Sequence, residues 1–137
     1  MPTSFMATIH RFEDLEIWQM ARTLCQQIYP LTFSKPISND FRFKDQVRGS
    51  CASIMDNIAE GFGRGSKHEF INSLTIAKGE AEELKSQLYR GFDIEYLSEE
   101  LFEKLYKLTE LLAKKIGSYI RYLNLSHYKG QKFKGRH

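Results

Sequence analysis

Side-chain catalysis needs a nucleophile, a base and an acid within reach of one another, and this 137-residue chain offers few such groups. Its histidines are His10, His68, His127 and His137, and no two of them stand at the helical spacing of a metal-ligand pair. His68 precedes Glu69 at a helix start and reads as a first-turn residue beside a capping partner. Cys25 and Cys51 lie outside any CxxC motif, and no adjacent base would activate Cys51. Both fall on apolar helical stripes, where a thiol packs as a small hydrophobe, so two reduced thiols in a reducing compartment are expected. No catalytic, metal or cofactor-binding residue is assigned, and an enzyme is not expected.

Anion binding is the second chemistry to weigh. The stretch Gly61-Phe62-Gly63-Arg64-Gly65-Ser66-Lys67 is glycine-rich, but a P-loop has a different spacing and follows a strand. Glycines that lead into a helix N-terminus can still hold a phosphate, with Arg64 and Lys67 alongside; a tight turn alone would explain them equally. The candidate nucleic-acid contacts are Arg48, Arg64 and Lys67, with Lys129, Lys132, Lys134 and Arg136 near the C-terminus. Those last four lie in an acid-free segment from His127 to His137. Setting them aside leaves 16 basic residues against 17 acidic ones, so the formal charge of +3 belongs to a tail. Such a tail fits either a solvated end or a contact with nucleic acid, and four charges supply only modest phosphate affinity at physiological salt. Base stacking would need exposed rings, whereas nearly all aromatic residues fit core positions.

The third chemistry is hydrogen bonding along one helix edge. Gln46, Ser50, Ser53, Asn57 and Glu60 recur at 4-3-4-3 spacing beside an apolar stripe. Small hydroxyls and amides allow close backbone approach but add little to a core. A solvent-facing edge, a polar network inside the fold and a subunit interface all fit that pattern. Glu60 and Arg64 are expected to form a charged cluster with Arg48 or Glu69.

Four amphipathic patterns must position these groups. The first opens near Phe12 and places Leu15, Trp18, Ala21, Cys25 and Ile28 on one face. Glu13, Asp14 and Glu16 suit the positive end of its dipole, and Pro30 should end or kink it. Residues 34–39 then read as a loop. The second pattern, capped by Asn39 or Asp40, carries Val47, Cys51, Ile54 and Ile58 and stops at Gly61, which suits the left-handed conformation past a helix end. Ser66 with Glu69 has capping-box spacing and starts the third. That helix repeats Phe70, Leu74, Ala77, Ala81, Leu84 and Leu88, with Lys78, Glu82, Glu83 and Lys85 as a solvated face. Gly91 to Leu97 interrupts the pattern. Ser98 caps the fourth helix, whose stripe is Leu101, Leu105, Leu108, Leu112, Tyr119 and Leu123.

No segment alternates with a period of two, so the expected fold is all-α, an antiparallel up-and-down four-helix bundle. It spans 12–126, between an N-terminal extension at 1–11 and a basic tail at 127–137. With 42% hydrophobic and 27% charged residues the chain matches a folded domain rather than a disordered one. Residues 1–10 lack the pattern of a signal peptide. No apolar run approaches the ~20 residues that span a bilayer, so a cytoplasmic protein without a membrane partner is expected.

The sequence resembles a known family in several places: Gln46-Val47-Arg48, Ser53-Ile54, Asn57-Ile58-Ala59-Glu60-Gly61, Gly63-Arg64 and Glu69-Phe70. Phe12-Glu13-Asp14-Leu15 with Trp18, Ile76-Ala77-Lys78-Gly79, Glu83-Leu84 and Gln87-Leu88 extend the likeness over about Phe12 to Leu123. These are similar to the bacterial four-helix-bundle proteins encoded within intervening sequences of 23S ribosomal RNA genes, a family without an established biochemical activity. That family is in turn distantly similar to the accessory protein of diversity-generating retroelements. The accessory protein is a pentameric ring of helical bundles with a basic surface, and it partners a reverse transcriptase and nucleic acid. The resemblance implies a homopentamer. Gly49, where a second basic residue follows Arg48 in the family, and Met55-Asp56, which replace a small or proline-containing pair, depart from the pattern and reduce the positive charge of helix two. The leading expectation is therefore a homo-oligomeric scaffold or adaptor, with an undefined protein partner open. The alternative is an RNA- or DNA-binding accessory that uses Arg48, Arg64, Lys67 and the tail.

Overall fold

The computed structural model describes residues 9–126, so the tail cations Lys129, Lys132, Lys134 and Arg136 and most of the N-terminal extension lie outside the described residues. Four α-helices make up the fold: α1 (Glu16–Ile28), α2 (Phe41–Gly63), α3 (Lys67–Asp93) and α4 (Glu99–Leu125). There is no strand among the described residues.

A short 3-10 turn at Phe12–Asp14 precedes α1, and Leu15 is its extended N-cap residue rather than part of the helix. The buried face of α1 is Ile17, Ala21, Leu24 and Ile28. Of the expected stripe, Leu15, Ala21 and Ile28 are buried, while Trp18 and Cys25 are only half-buried and their neighbours Ile17 and Leu24 take the core positions. Ile9 is also buried in the core, three residues ahead of the expected start. Pro30 opens a second 3-10 turn, Tyr29–Phe33, and Ile37–Asn39 forms a third within the expected loop.

Asp40 caps α2: Phe43 N donates to its Oδ1 at 3.0 Å, and Tyr96 Oη donates to its Oδ2 at 2.7 Å. The Tyr96 hydroxyl first, and the Phe43 amide second, hold the Asp40 carboxyl below its usual range. Val47, Cys51, Ile54 and Ile58 are buried as the periodicity requires. The helix does not stop at Gly61. It runs to Gly63, and Gly65 is the residue in the left-handed region, with φ of 78°. Gly61 serves packing instead: a Cβ there would collide with Ser73 Cβ of α3 and stand 2.8 Å from its Oγ.

Ser66 caps α3 by accepting from Glu69 N at 3.3 Å. Phe70, Leu74, Ala77, Ala81, Leu84 and Leu88 are all buried. The helix continues through Gly91, where the Phe43 ring leaves no room for a side chain, with Cζ 2.8 Å from the Cβ position. Ser98 caps α4, accepting from Leu101 N at 3.1 Å. Leu105, Leu112, Tyr119 and Leu123 are buried, while Leu101 and Leu108 pack half-buried at the edge.

Contacts run between α1 and α2, α2 and α3, α3 and α4, and α1 and α4. Gln46 meets Arg90 at one end of the α2–α3 pair and Gly61 meets Ser73 at the other. Lys85 approaches Glu110 along α3–α4, and the Phe70 and Tyr119 rings lie 6.1 Å apart farther down. Falling numbers on one helix thus match rising numbers on the next, consistent with an antiparallel up-and-down order. Burying one stripe from each helix against its neighbours is the main source of stability in such a bundle.

Candidate interaction surface

The five seam residues do not share one environment. Ser50 is buried, Gln46, Ser53 and Asn57 are half-buried, and Glu60 is exposed. Asn57 Nδ2 donates within its own helix, to Ser53 O at 2.9 Å and Ser53 Oγ at 3.0 Å. Gln46 Oε1 accepts from Arg90 of α3, and Ser50 is hydrogen-bonded to Glu80 of α3. The seam therefore lines the crevice where α2 meets α3, deep in the middle and open toward Glu60.

α3 supplies the opposite wall, which the sequence reading missed. Ser73, Ile76, Glu80, Glu83, Gln87 and Arg90 follow one another at 3-4-3-4-3 spacing. Charge alternation places Lys78, Glu82, Glu83 and Lys85 on one solvated face, and Glu82 and Glu83 are exposed as it requires. In the structure those two lysines lie half-buried on the opposite flank, against α4. The α2-side wall is acidic and partly unsatisfied. Burial, the Glu83 charge and a hydrogen bond with Glu83 raise the Glu80 pKa. Neither carboxylate has a cationic partner among the described residues. Gln87 Oε1, one turn from Glu83, is buried without a hydrogen-bond partner, and Ile76 stands 53% exposed in the same row.

The three candidate nucleic-acid cations of the body are each engaged elsewhere. Arg48 faces the turn after α1: its Nε donates to Thr32 Oγ1 at 2.7 Å, and its guanidinium lies over the Phe33 and Tyr29 rings at 4.7 and 5.4 Å. Arg64 sits between Glu60 at 3.5 Å and Glu69 at 3.2 Å, the charged cluster expected at that end, with Arg48 outside it. Sixteen residues of helix put Arg48 about 24 Å away. Lys67 Nζ donates to the Ser126 carbonyl at 3.1 Å, so α4 ends beside the start of α3.

Two further groupings came from tertiary packing. Tyr89, Phe92, Phe102 and Tyr106 form a partly open ring cluster between α3 and α4, with centroids 5.0 to 5.5 Å apart, so the aromatic residues are not confined to the core. Cys25 and Cys51, both free, meet across α1 and α2: Cys25 Sγ donates to Cys51 O at 3.2 Å. The Cys51 thiol beside it lowers the Cys25 pKa, while that same contact and burial push Cys51 upward. The described residues contain no group of three His, Cys, Asp or Glu side chains placed to hold a metal ion, and no helix among them is long and apolar enough to cross a membrane.

The fold is shared with a protein of unknown function from the S23 ribosomal protein family of Bacteroides thetaiotaomicron, with a TM-score of 0.71 and 26% identity. That likeness covers 77% of this chain and 98% of the other. No curated protein matches the sequence. The model of the 23S rRNA-intervening sequence protein family matches residues 13–118. That match takes in all of α1, α2 and α3 and most of α4, seam included, and the chain belongs to the 23S rRNA-intervening sequence protein family.

Proposed function

We propose that this protein is a non-enzymatic, cytoplasmic homo-oligomeric scaffold or adaptor, an antiparallel up-and-down bundle that assembles through the outer edge of the α2–α3 crevice. One observation carries the reading: this edge combines an exposed Ile76 with two neighbouring carboxylates, Glu80 and Glu83, that have no cationic partner among the described residues. A neighbouring subunit that covers Ile76 and brings cations to these carboxylates would match the apolar centre and polar rim of a protein–protein interface. A ring of five is the form that the distant sequence resemblance of this family to the retroelement accessory protein would imply. Sedimentation velocity at micromolar concentration tests it: a discrete oligomer is expected, and a monomer overturns the reading. Asn57→Ala or Glu60→Ala should shift the distribution toward smaller species.

A second reading, an accessory protein that binds RNA or DNA, is favoured by the Lys67–Ser126 contact. It brings the root of the basic tail to the end of the bundle that carries Arg64. Binding of a structured RNA should then weaken steeply with salt through counterion release, and deletion after Ser126 should flatten that slope. No binding at low salt would end this reading.

A further inference from the structure

The outward face of α4 is the counterpart of the seam. Lys107, Leu111, Lys114, Ser118 and Arg121 recur at 4-3-4-3 spacing, opposite the buried row of Leu105, Leu112, Ile116 and Leu123. Leu111 is 48% exposed at the centre of this row. Neither Lys107 nor Lys114 has an ion-pair partner among the described residues, and the Arg121 guanidinium donates to the Ser118 hydroxyl at 3.0 Å. From Leu111 to Leu125 the helix contains no acid at all. The neighbouring Lys115, by contrast, is engaged within the fold, 3.2 Å from Glu16.

The two faces are complementary in pattern as well as in charge. Each is a row at helical spacing with one exposed aliphatic residue, Ile76 followed by Glu80 and Glu83, or Leu111 between Lys107 and Lys114, and none of these four charges has an ion-pair partner among the described residues. They lie on different sides of α3 and α4, the seam between α2 and α3 and the basic row on the outward face of α4, where Lys114 also borders the groove toward Glu82 and Glu110. A single copy cannot join them. We infer that the α4 row of one subunit docks on the α2–α3 seam of the next, with Lys107 and Lys114 meeting Glu80 and Glu83 around an Ile76–Leu111 contact. This inference rests on the proposed assembly through the seam and names what sits on it.

Such a contact is head-to-tail rather than two-fold symmetric, and repeated head-to-tail contacts close into rings when the rotation permits. An apolar centre with a charged surround is the usual anatomy of a protein–protein interface. The opposed charges fix register and speed encounter more than they add affinity.

Charge reversal on full-length protein tests the pairing. Lys107→Glu with Lys114→Glu should abolish the oligomer in sedimentation velocity, and Glu80→Lys with Glu83→Lys should do the same. An equimolar mixture of the two variants should reassociate, because each then offers the other a complementary face, and only with alternating subunits. Retention of the oligomer by the α4 variant, while the seam variant dissociates, would overturn the head-to-tail pairing and leave assembly through the seam standing. Retention by both variants, or a monomeric parent protein, would overturn both. Circular dichroism establishes that each variant folds; should a reversed pair unfold, Leu111→Asn reads the same contact without a change of charge, and an unchanged oligomer would again overturn the pairing.

Discussion

The two flanks of α3 are built differently. Toward α4, Lys85 lies 3.2 Å from Glu82, approaches Glu110 and sits 5.4 Å from the Tyr106 centroid, while four rings pack edge and face on one another. Lys85 there meets two opposite charges and a ring, whereas Lys78 and Lys114, which line the same groove, have no ion-pair partner among the described residues. Toward α2, small residues bring the backbones together at Gly61 and Ser73, and the remaining polar groups include two adjacent carboxylates and an amide oxygen without a donor. The first flank closes around a paired lysine and a ring cluster within one chain, and the second leaves its two neighbouring carboxylates without a cation. A surface that is finished internally can be judged from the monomer; an unfinished one points to what the monomer meets.

Substitutions can break this contrast, and Gly61→Ala should do so most severely. Its methyl would press on Ser73 Cβ, which is fixed to the α3 backbone and cannot swing aside. A loss of about 3 kcal/mol is expected in urea unfolding, at the upper end for overpacking, and Ser73→Gly in the same chain should restore part of it. Phe102→Ala removes the ring that touches Tyr89, Phe92 and Tyr106. Because Phe102 is half-buried, about 2 kcal/mol is expected, below the range for a core phenylalanine, with the oligomer unchanged. Gly79→Ala sharpens the comparison from the other side. It faces open space in the middle of α3, so the gain in helix propensity should stabilise the fold by about 0.5–1 kcal/mol.

The smallest effect carries the most diagnostic sign. The raised pKa of Glu80 means that the folded chain holds its proton more tightly than the unfolded one. Stability from this source is present below the unfolded carboxylate pKa and is lost as pH rises through the higher folded value. Glu80→Gln should therefore raise the melting temperature slightly at neutral pH and flatten its decline from acid to neutral pH. The same substitution should weaken assembly. Opposite signs in the two measurements would separate a surface kept for a partner from one kept for the fold.

The sequence made the common core legible because its rows are long and regular: every stripe residue assigned to α2 and α3 is buried. It misled at α1, where Ile17-Trp18 and Leu24-Cys25 offer two apolar residues at each turn. Counting from Leu15, which lies outside the helix, selected the wrong member of each pair. Gly61 was assigned to a turn because local signals cannot show that Ser73 of another helix requires the space; Gly65 makes the turn. The α2 half of the candidate surface was visible as a periodic row of small polar residues. Its α3 half was hidden by reading Glu82, Glu83 and Lys85 as alternating charge rather than extending the row from Ser73 to Arg90. Which cations were already occupied, as Arg48 is by two rings, depended on contacts between distant segments that spacing does not encode.

The Cys25–Cys51 contact gives the molecule a native chemical reporter for the first helix. Cys25 is only partly buried while Cys51 is buried beside it, so an alkylating reagent is expected to take Cys25 first. The second sulfur takes up label only when α1 lifts away or the whole chain opens. The lag between the first and second label therefore times the detachment of that quarter of the bundle, without any probe having to be introduced.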